Sequence, residues 1–358
     1  MKGKVLVLMS GGVDSTVAAF LLKSAGYEVE GLTFWLWSFP NAPDYQGKTK
    51  CCSLDAAALA AAEIGIPHRT IDASVEFYEM VLRDFVSRYR RGETPNPCGR
   101  CNRYLRFPLA FTYAQSHGFD YVATGHHARI IREEDRPPEL HRGIEPEKDQ
   151  SYFLYGLTSQ DLERLLFPVG GMRKDEVLAL ARANRLYAAR LPESQDLCFA
   201  VKGNFDFLFS NQDFTPGPII NLQGRVLGQH KGLVRYTIGQ RRGLGITASE
   251  PLYVIAIDPV KNALIVGNEN DLYAPGLVAS ETNFISGSPP EDGVELSAKI
   301  RYRSPSAPCT FHLLPDGRFA VYFGAPQRAI TPGQIIALYE GDRLLGGGTI
   351  EKVIFDRV

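Results

Sequence analysis

The segment Ser10-Gly11-Gly12-Val13-Asp14-Ser15 carries the residue types that hold a phosphate chain. It follows a short apolar run, Val5 to Met9, and precedes a helical pattern with Val17, Phe20 and Leu21 on one face. Glycines at such a turn let the backbone approach an anion, and the N–H groups of the turn and of the helix N-terminus point at it. Ser10 and Ser15 add hydroxyl donors. Asp14 alone would repel phosphate, so its place here predicts Mg²⁺ held between the carboxylate and a pyrophosphate. The Gly-x-x-x-x-Gly-Lys pattern of the common P-loop is missing, and with it the lysine that reaches the terminal phosphates.

A second chemical centre is Thr94-Pro95-Asn96-Pro97-Cys98-Gly99-Arg100-Cys101-Asn102. Its two prolines predict an extended loop ahead of a helix starting near Asn102. A thiolate at a helix N-terminus has a lowered pKa and attacks more readily at neutral pH. A third cysteine stands in Glu193-Ser194-Gln195-Asp196-Leu197-Cys198-Phe199. Cys51-Cys52 and Cys309 have no partner at metal-ligand spacing and read as structural.

Strands and helices must position these groups. Val5–Met9, Val29–Trp35 and Asp120–Thr124 read as strands. Helices are expected from Ser53 to Ile64, from a Ser74 cap through Arg90, near Ser159–Leu166 and near Lys174–Asn184. This alternation predicts an α/β unit with a parallel sheet and helices on both faces. Arg132–Lys148 is charged and reads as an exposed hairpin tip. After residue 204 helical periodicity fades, and from about 275 short alternating runs such as Phe319–Phe323 predict a small antiparallel barrel.

The chain has 358 residues, enough for two or three domains. Its net charge of −1 excludes a global basic field, so contact with nucleic acid must be local. Basic residues cluster around the second centre (Arg88, Arg90, Arg100, Arg103) and in Arg241-Arg242, where they are expected to meet phosphates. The N-terminal apolar run is too short for a signal segment and no stretch reaches membrane-spanning length, so a cytoplasmic, non-membrane protein is expected.

The loop at Ser10–Ser15 resembles the pyrophosphate loop of the ATP-pyrophosphatase superfamily, whose members adenylate a substrate oxygen. Together with the two cysteine segments, Ala123-Thr124-Gly125-His126, Lys148-Asp149-Gln150-Ser151-Tyr152 and Tyr236-Thr237-Ile238-Gly239-Gln240-Arg241-Arg242-Gly243-Leu244-Gly245, it resembles the tRNA-specific 2-thiouridylases over essentially the whole chain. That resemblance implies an adenine nucleotide alpha-hydrolase-like catalytic domain (1–203), a small central tRNA-positioning domain (204–274) and a C-terminal antiparallel β-barrel (275–358). It implies ATP-dependent 2-thiolation of the wobble uridine in the anticodon loop, with AMP and pyrophosphate released and sulfur supplied by a donor protein or sulfide.

By position, Leu8, Met9, Ser10, Gly11, Gly12, Val13, Asp14 and Ser15 would cradle ATP phosphates, and Phe34 (usually Met in the family) and Gly125 would line the adenine pocket. Asn96, Pro97 and Cys98 would meet the target base. His126, Lys148, Asp149, Gln150, Arg301, Tyr302 and Gln334 would touch tRNA. Cys101 would be the nucleophile and Cys198 the persulfide carrier, the two closing a disulfide at the end of a turnover.

Cys98 departs from the family, where many members have Asp. Cys98, Cys101 and Cys198 then match sulfur-inserting enzymes whose three thiolates hold a 4Fe–4S cluster, and cluster ligation is the favoured expectation. A persulfide route without metal and a zinc site remain alternatives. An amidotransferase-type synthetase would leave the three thiols without a use, and a non-catalytic tRNA-binding protein would not need Asp14 and Ser15.

Overall fold

The computed structural model describes residues 2–37, 54–192, 197–200 and 203–355. Cys51, Cys52, the Ser53 cap and residues 193–196 lie outside them. The catalytic unit is built on β1 (Lys4–Leu8), α1 (Val13–Ser24), β2 (Glu28–Trp35), α2 (Leu54–Ile64) and β3 (His68–Asp72). There follow the helical runs α3 (74–90) and α4 (97–116), then β4 (Tyr121–Thr124), the hairpin strands β5 (Ala128–Ile131) and β6 (Glu139–Arg142), α5 (Ser159–Glu163), β7 (Leu165–Leu166) and α6 (Lys174–Ala183). Five parallel strands lie in the order β3-β2-β1-β4-β7. Alternate residues feed two cores, as strand geometry requires. Leu6, Leu32 and Val122 enter one, while Val5, Val7, Val29 and Ala123 enter the other.

The strand order places the site. From β1 the chain winds outward through β2 and β3, then returns to β4 on the other side of β1. The strands therefore diverge at the carboxyl ends of β1 and β4, the crevice where open α/β sheets bind ligands. Ser10–Asp14 and Gly125–His127 both leave the sheet there.

Four local expectations are corrected. The helix of the second centre starts at Pro97, not near Asn102, because the Asn96 side chain caps it by accepting from the Gly99 N–H at 3.1 Å. Ser74 is not a cap; the Asp72 carboxylate accepts from its N–H at 2.9 Å. The helix expected through Leu166 ends at Glu163, and Leu165–Leu166 pairs with β4 instead. The 132–148 excursion is only partly exposed, since β6 joins the C-terminal sheet through Leu140↔Leu344 and His141↔Arg343 and buries Leu140 completely.

The central part is a four-stranded sheet, β8 (Gly217–Asn221), β9 (Val226–His230), β10 (Tyr253–Asp258) and β11 (Ala263–Gly267), in the order β10-β11-β8-β9. The C-terminal part comprises β12 (Tyr273–Phe284), β13 (Glu295–Lys299), β14 (Ala307–Leu313), β15 (Phe319–Arg328), β16 (Ile335–Glu340) and β17 (Arg343–Ile354). Pairing of β12 with β17 closes these six into an antiparallel barrel. On β16, Ile336 and Leu338 point into the barrel core, while Ile335, Ala337 and Tyr339 belong to the core of the catalytic unit. The strand is buried on both faces, which explains the unbroken apolar run from Ile335 to Tyr339. Among the described residues no helix is long and apolar enough to cross a membrane.

Candidate active site

Leu8 ends β1, and the chain turns through Gly11 at φ +80°, a conformation that suits glycine. A side chain at Gly11 would also strike Ala56 of α2, at 2.8 Å from its Cβ. Gly12 precedes α1. The hydroxyl of Ser15 donates to the Gly12 carbonyl (3.1 Å) and accepts from the Ser10 N–H (3.2 Å), so the two serines brace the loop from inside. Met9 and Val13 are buried and hold the turn to the core.

Gly125 has a reason beyond room for a ligand. A Cβ there would lie 2.5 Å from the Ser15 nitrogen and 2.6 Å from the Asp14 carbonyl carbon. Only glycine lets the end of β4 pack on the first turn of α1. Phe34, at the end of β2, is buried in the catalytic core.

The charge at the loop was only half legible. Lys174 Nζ lies 2.6 and 2.8 Å from the two oxygens of Asp14, and His127 Nε2 lies 3.2 Å from one of them. Burial alone would raise the Asp14 pKa, but the His127 hydrogen bond and the Lys174 charge more than offset it and hold the carboxyl below its ordinary value. Lys174 and His127 are themselves buried. A loop lysine is thus present after all, contributed from 160 residues away in sequence. One signal could have found it: Lys174 opens α6, where the helix dipole disfavours a cation. His127 is held in turn by Gln150, whose Oε1 accepts from the His127 N–H at 3.0 Å and whose N–H donates to the His127 carbonyl at 2.9 Å.

In the second centre Asn96 is the cap, Pro97 is buried, Cys98 is exposed in the first turn, and Cys101 is buried one turn later. Cys98, not Cys101, thus lies in the helix's first turn, whereas the sequence pattern places the helix start beyond both cysteines. Cys101 and Cys198 pack against the same hydrophobic core, Cys198 half-buried. Among the described residues no three His, Cys, Asp or Glu side chains come together as a metal-binding group. The favoured cluster ligation by Cys98, Cys101 and Cys198, and the zinc alternative, find no support in this arrangement, in which Cys98 opens to solvent and Cys101 is buried.

The residues expected at tRNA divide. Lys148 is half-exposed beside the hairpin, and Tyr302 packs against Phe153 with ring centroids 4.5 Å apart and planes tilted by 39°. His126 is half-buried between Phe107 and Phe167, its Nδ1 2.7 Å from the Thr124 hydroxyl. Asp149 is buried, accepting from the N–H groups of Gly143 (3.1 Å) and Ser151 (3.0 Å) and from the Ser151 hydroxyl (3.0 Å). It shapes the turn rather than presenting a surface. Arg301 Nη2 donates to the carbonyls of Ile238 (3.0 Å) and Ala329 (2.9 Å) and to Thr331, joining the central motif to the barrel, while its buried Nε has no hydrogen-bond partner among the described residues. Gln334 Nε2 donates to the Thr94 carbonyl at 2.7 Å.

Family models match along the chain: residues 3–202 to the "tRNA methyl transferase HUP domain", 205–268 to the "tRNA methyl transferase PRC-barrel domain" and 275–350 to the "Aminomethyltransferase beta-barrel domain". The tRNA-specific 2-thiouridylase MnmA 1 of Syntrophus aciditrophicus is 46% identical over 99% of this chain and 94% of its own length. That of Moorella thermoacetica is 45% identical over 97% of this chain and 99% of its own, and that of Geotalea uraniireducens 42% over 98% and 96%. With identity at this level over nearly the full length of both partners, the chain belongs to the tRNA-specific 2-thiouridylases, a family of tRNA-modifying sulfurtransferases.

Proposed function

We propose that the protein uses ATP to adenylate the C2 oxygen of the wobble uridine of tRNA and then replaces that oxygen with sulfur, releasing AMP and pyrophosphate. The observation that carries the reading is the Asp14–Lys174 pair beside a serine- and glycine-built anion loop at the sheet's switch point. Uracil O2 is a poor leaving group until it is esterified to phosphate. Positive charge at the loop stabilises the departing pyrophosphate. Lys174 supplies one such charge on turning from Asp14 toward phosphate. The Asp14 carboxylate so released is an oxygen donor suited to Mg²⁺, which when bound would screen the same phosphates.

The sulfur half assigns Cys198 as carrier and Cys101 as resolving nucleophile. The terminal sulfur of a Cys198 persulfide attacks C2, and the C2–O bond breaks with AMP. The Cys101 thiolate then attacks Cys198 Sγ, a disulfide forms, and the 2-thiouridine leaves with the outer sulfur. A thiol reductant resets the pair, and a donor protein's persulfide recharges Cys198, whose thiolate attacks the donor's outer sulfur while the donor thiolate leaves. The common core of Cys101 and Cys198 favours this route. Methyl transfer, which two of the family-model descriptions name, would leave the Asp14–Lys174 pair and both cysteines without a task. Incubation with ATP, Mg²⁺, a sulfur donor and tRNA tests the reading. AMP and 2-thiouridine are expected in equal amounts; tRNA that binds but yields neither would overturn it.

A further inference from the structure

The segment between the two cysteines is built as much by the C-terminal barrel as by the catalytic unit. Thr94 enters the segment with its N–H donating to the Pro332 carbonyl (2.8 Å) and its carbonyl accepting from Gln334. Its hydroxyl lies 2.6 Å from that of Thr237 in the central part. Gly333 of the barrel, at φ +90°, would place a Cβ 2.9 Å from the Thr94 carbonyl carbon. Gly99 faces Ile335, and a Cβ at Gly99 would lie 2.2 Å from Ile335 Cδ1. Ile335 is buried and its carbonyl accepts from the Tyr152 hydroxyl at 2.9 Å, so the strand is held and an added Cβ at Gly99 must be met by a turn of the Ile335 side-chain tip or a shift of the helix.

Behind the helix stands Glu281, on an irregular stretch of β12 and itself at φ +49°, a conformation uncommon for a non-glycine residue. Its carboxylate accepts from Arg88 and from the Thr349 hydroxyl, both at 2.7 Å, and lies 3.6 Å from Arg100 Nη1. Arg103 donates to the carbonyls of Glu281 and Thr282. Arg100 stands between the two cysteines in sequence. Of the arginines expected at phosphates, Arg88 and Arg103 thus bind the barrel, Arg100 reaches both Asp84 and the barrel, and Arg90 pairs with Asp213 of the central part.

We infer that Ile335 and Glu281 of the barrel are positioning residues for the Cys98–Cys101 helix, so that the barrel sets where the nucleophile stands. The inference rests on the reading of Cys101 as nucleophile. Contacts at the front (Thr94), on the flank (Gly99) and behind (Arg100) converge on the first turns of α4, which the Asn96 cap and the contacts of Arg100 with the Met80 carbonyl (2.7 Å) and Asp84 (3.3 Å) also hold. Displacement of about 1 Å at such a group is enough to slow a reaction strongly while leaving a remote nucleotide site intact.

A steric pair tests it. Gly99→Ala is expected to lower the rate of thiolation by about tenfold or more, leave ATP affinity unchanged, and alter the alkylation rates of Cys98 and Cys101 by iodoacetamide. Adding Ile335→Val removes Cδ1 and should restore both rates to those of Ile335→Val alone. Wild-type rates in Gly99→Ala, or a loss that Ile335→Val does not relieve, would overturn the inference. Glu281→Gln keeps the acceptor for Thr349 and removes the charge, so it serves even if Gly99→Ala does not fold. It should lower kcat for thiolation with an unchanged KM for ATP and shifted alkylation rates; wild-type values for both overturn the assignment of Glu281. Full thiolation by Cys101→Ser would remove the nucleophile reading alone, because the alkylation readout reports the barrel–helix coupling whatever Cys101 does.

Discussion

Lys174 Nζ and the Asp14 carboxylate form a two-pronged contact, 2.6 and 2.8 Å, between the first turn of α6 and the first turn of α1. The contact gives Asp14 a pH signature. Its folded pKa lies below the ordinary 3.8, so it contributes stability that is present above that value and is lost as pH falls through the folded pKa. Asp14→Asn is therefore expected to flatten the acid limb of a plot of melting temperature against pH below about 4 and to leave the limb above pH 5 unchanged. In activity, Lys174→Met should reduce AMP formation by about 100-fold while tRNA binding persists. A Lys174→Met enzyme forming AMP at the wild-type rate would remove the lysine from phosphate chemistry.

The contact also marks what sequence can and cannot convey. The loop at Ser10–Ser15 was legible because glycine, serine and the strand-to-helix pattern are local. The barrel was legible because period-two alternation between turns is local too, as at Phe319, Val321 and Phe323. Lys174 was not, since its role depends on β4 and β7 bringing α6 beside α1. The same holds for Asn96: its capping bond, not the prolines alone, decides that the helix takes in both cysteines. Arg301 and Gln334 read as surface groups by type, yet both are half-buried and spend their donors on backbone carbonyls of neighbouring elements.

Gly125 gives a second prediction. Alanine at this position must push against the backbone of Asp14 and Ser15, which belongs to a helix and cannot rotate aside. Gly125→Ala should cost about 1–3 kcal/mol of stability and lower ATP affinity by at least about tenfold, read by thermal unfolding and by equilibrium binding. Gly171, beside which an added Cβ meets nothing within 4 Å, is the control, and Gly171→Ala should match the wild type in ATP affinity.

Asn96 separates capping from base contact. Asn96→Ala loses the acceptor for the Gly99 N–H and should destabilise the protein by about 1 kcal/mol. Asn96→Ser retains a capping oxygen and should recover that stability. If Asn96 also meets the target base, Asn96→Ser will fold like the wild type yet thiolate more slowly. Equal thiolation rates for Asn96→Ser and wild type would confine Asn96 to capping.

The cysteines can be told apart by their surroundings. Burial pushes the Cys309 thiol up to about 12, so it should resist alkylation in the folded protein and react only on unfolding. Cys98, exposed at a helix N-terminus, should react first. If Cys101 and Cys198 carry the sulfur chemistry by a persulfide, Cys98→Ala will keep most of its thiolation activity, whereas Cys101→Ser and Cys198→Ser will each lose about 100-fold or more. A cluster-dependent enzyme would behave otherwise: anaerobically purified protein would carry iron, and Cys98→Ala would lose iron and activity together. Mass analysis of the tRNA product beside iron determination on the same preparations distinguishes the two, because only the persulfide route leaves a Cys98→Ala enzyme that is both iron-free and active.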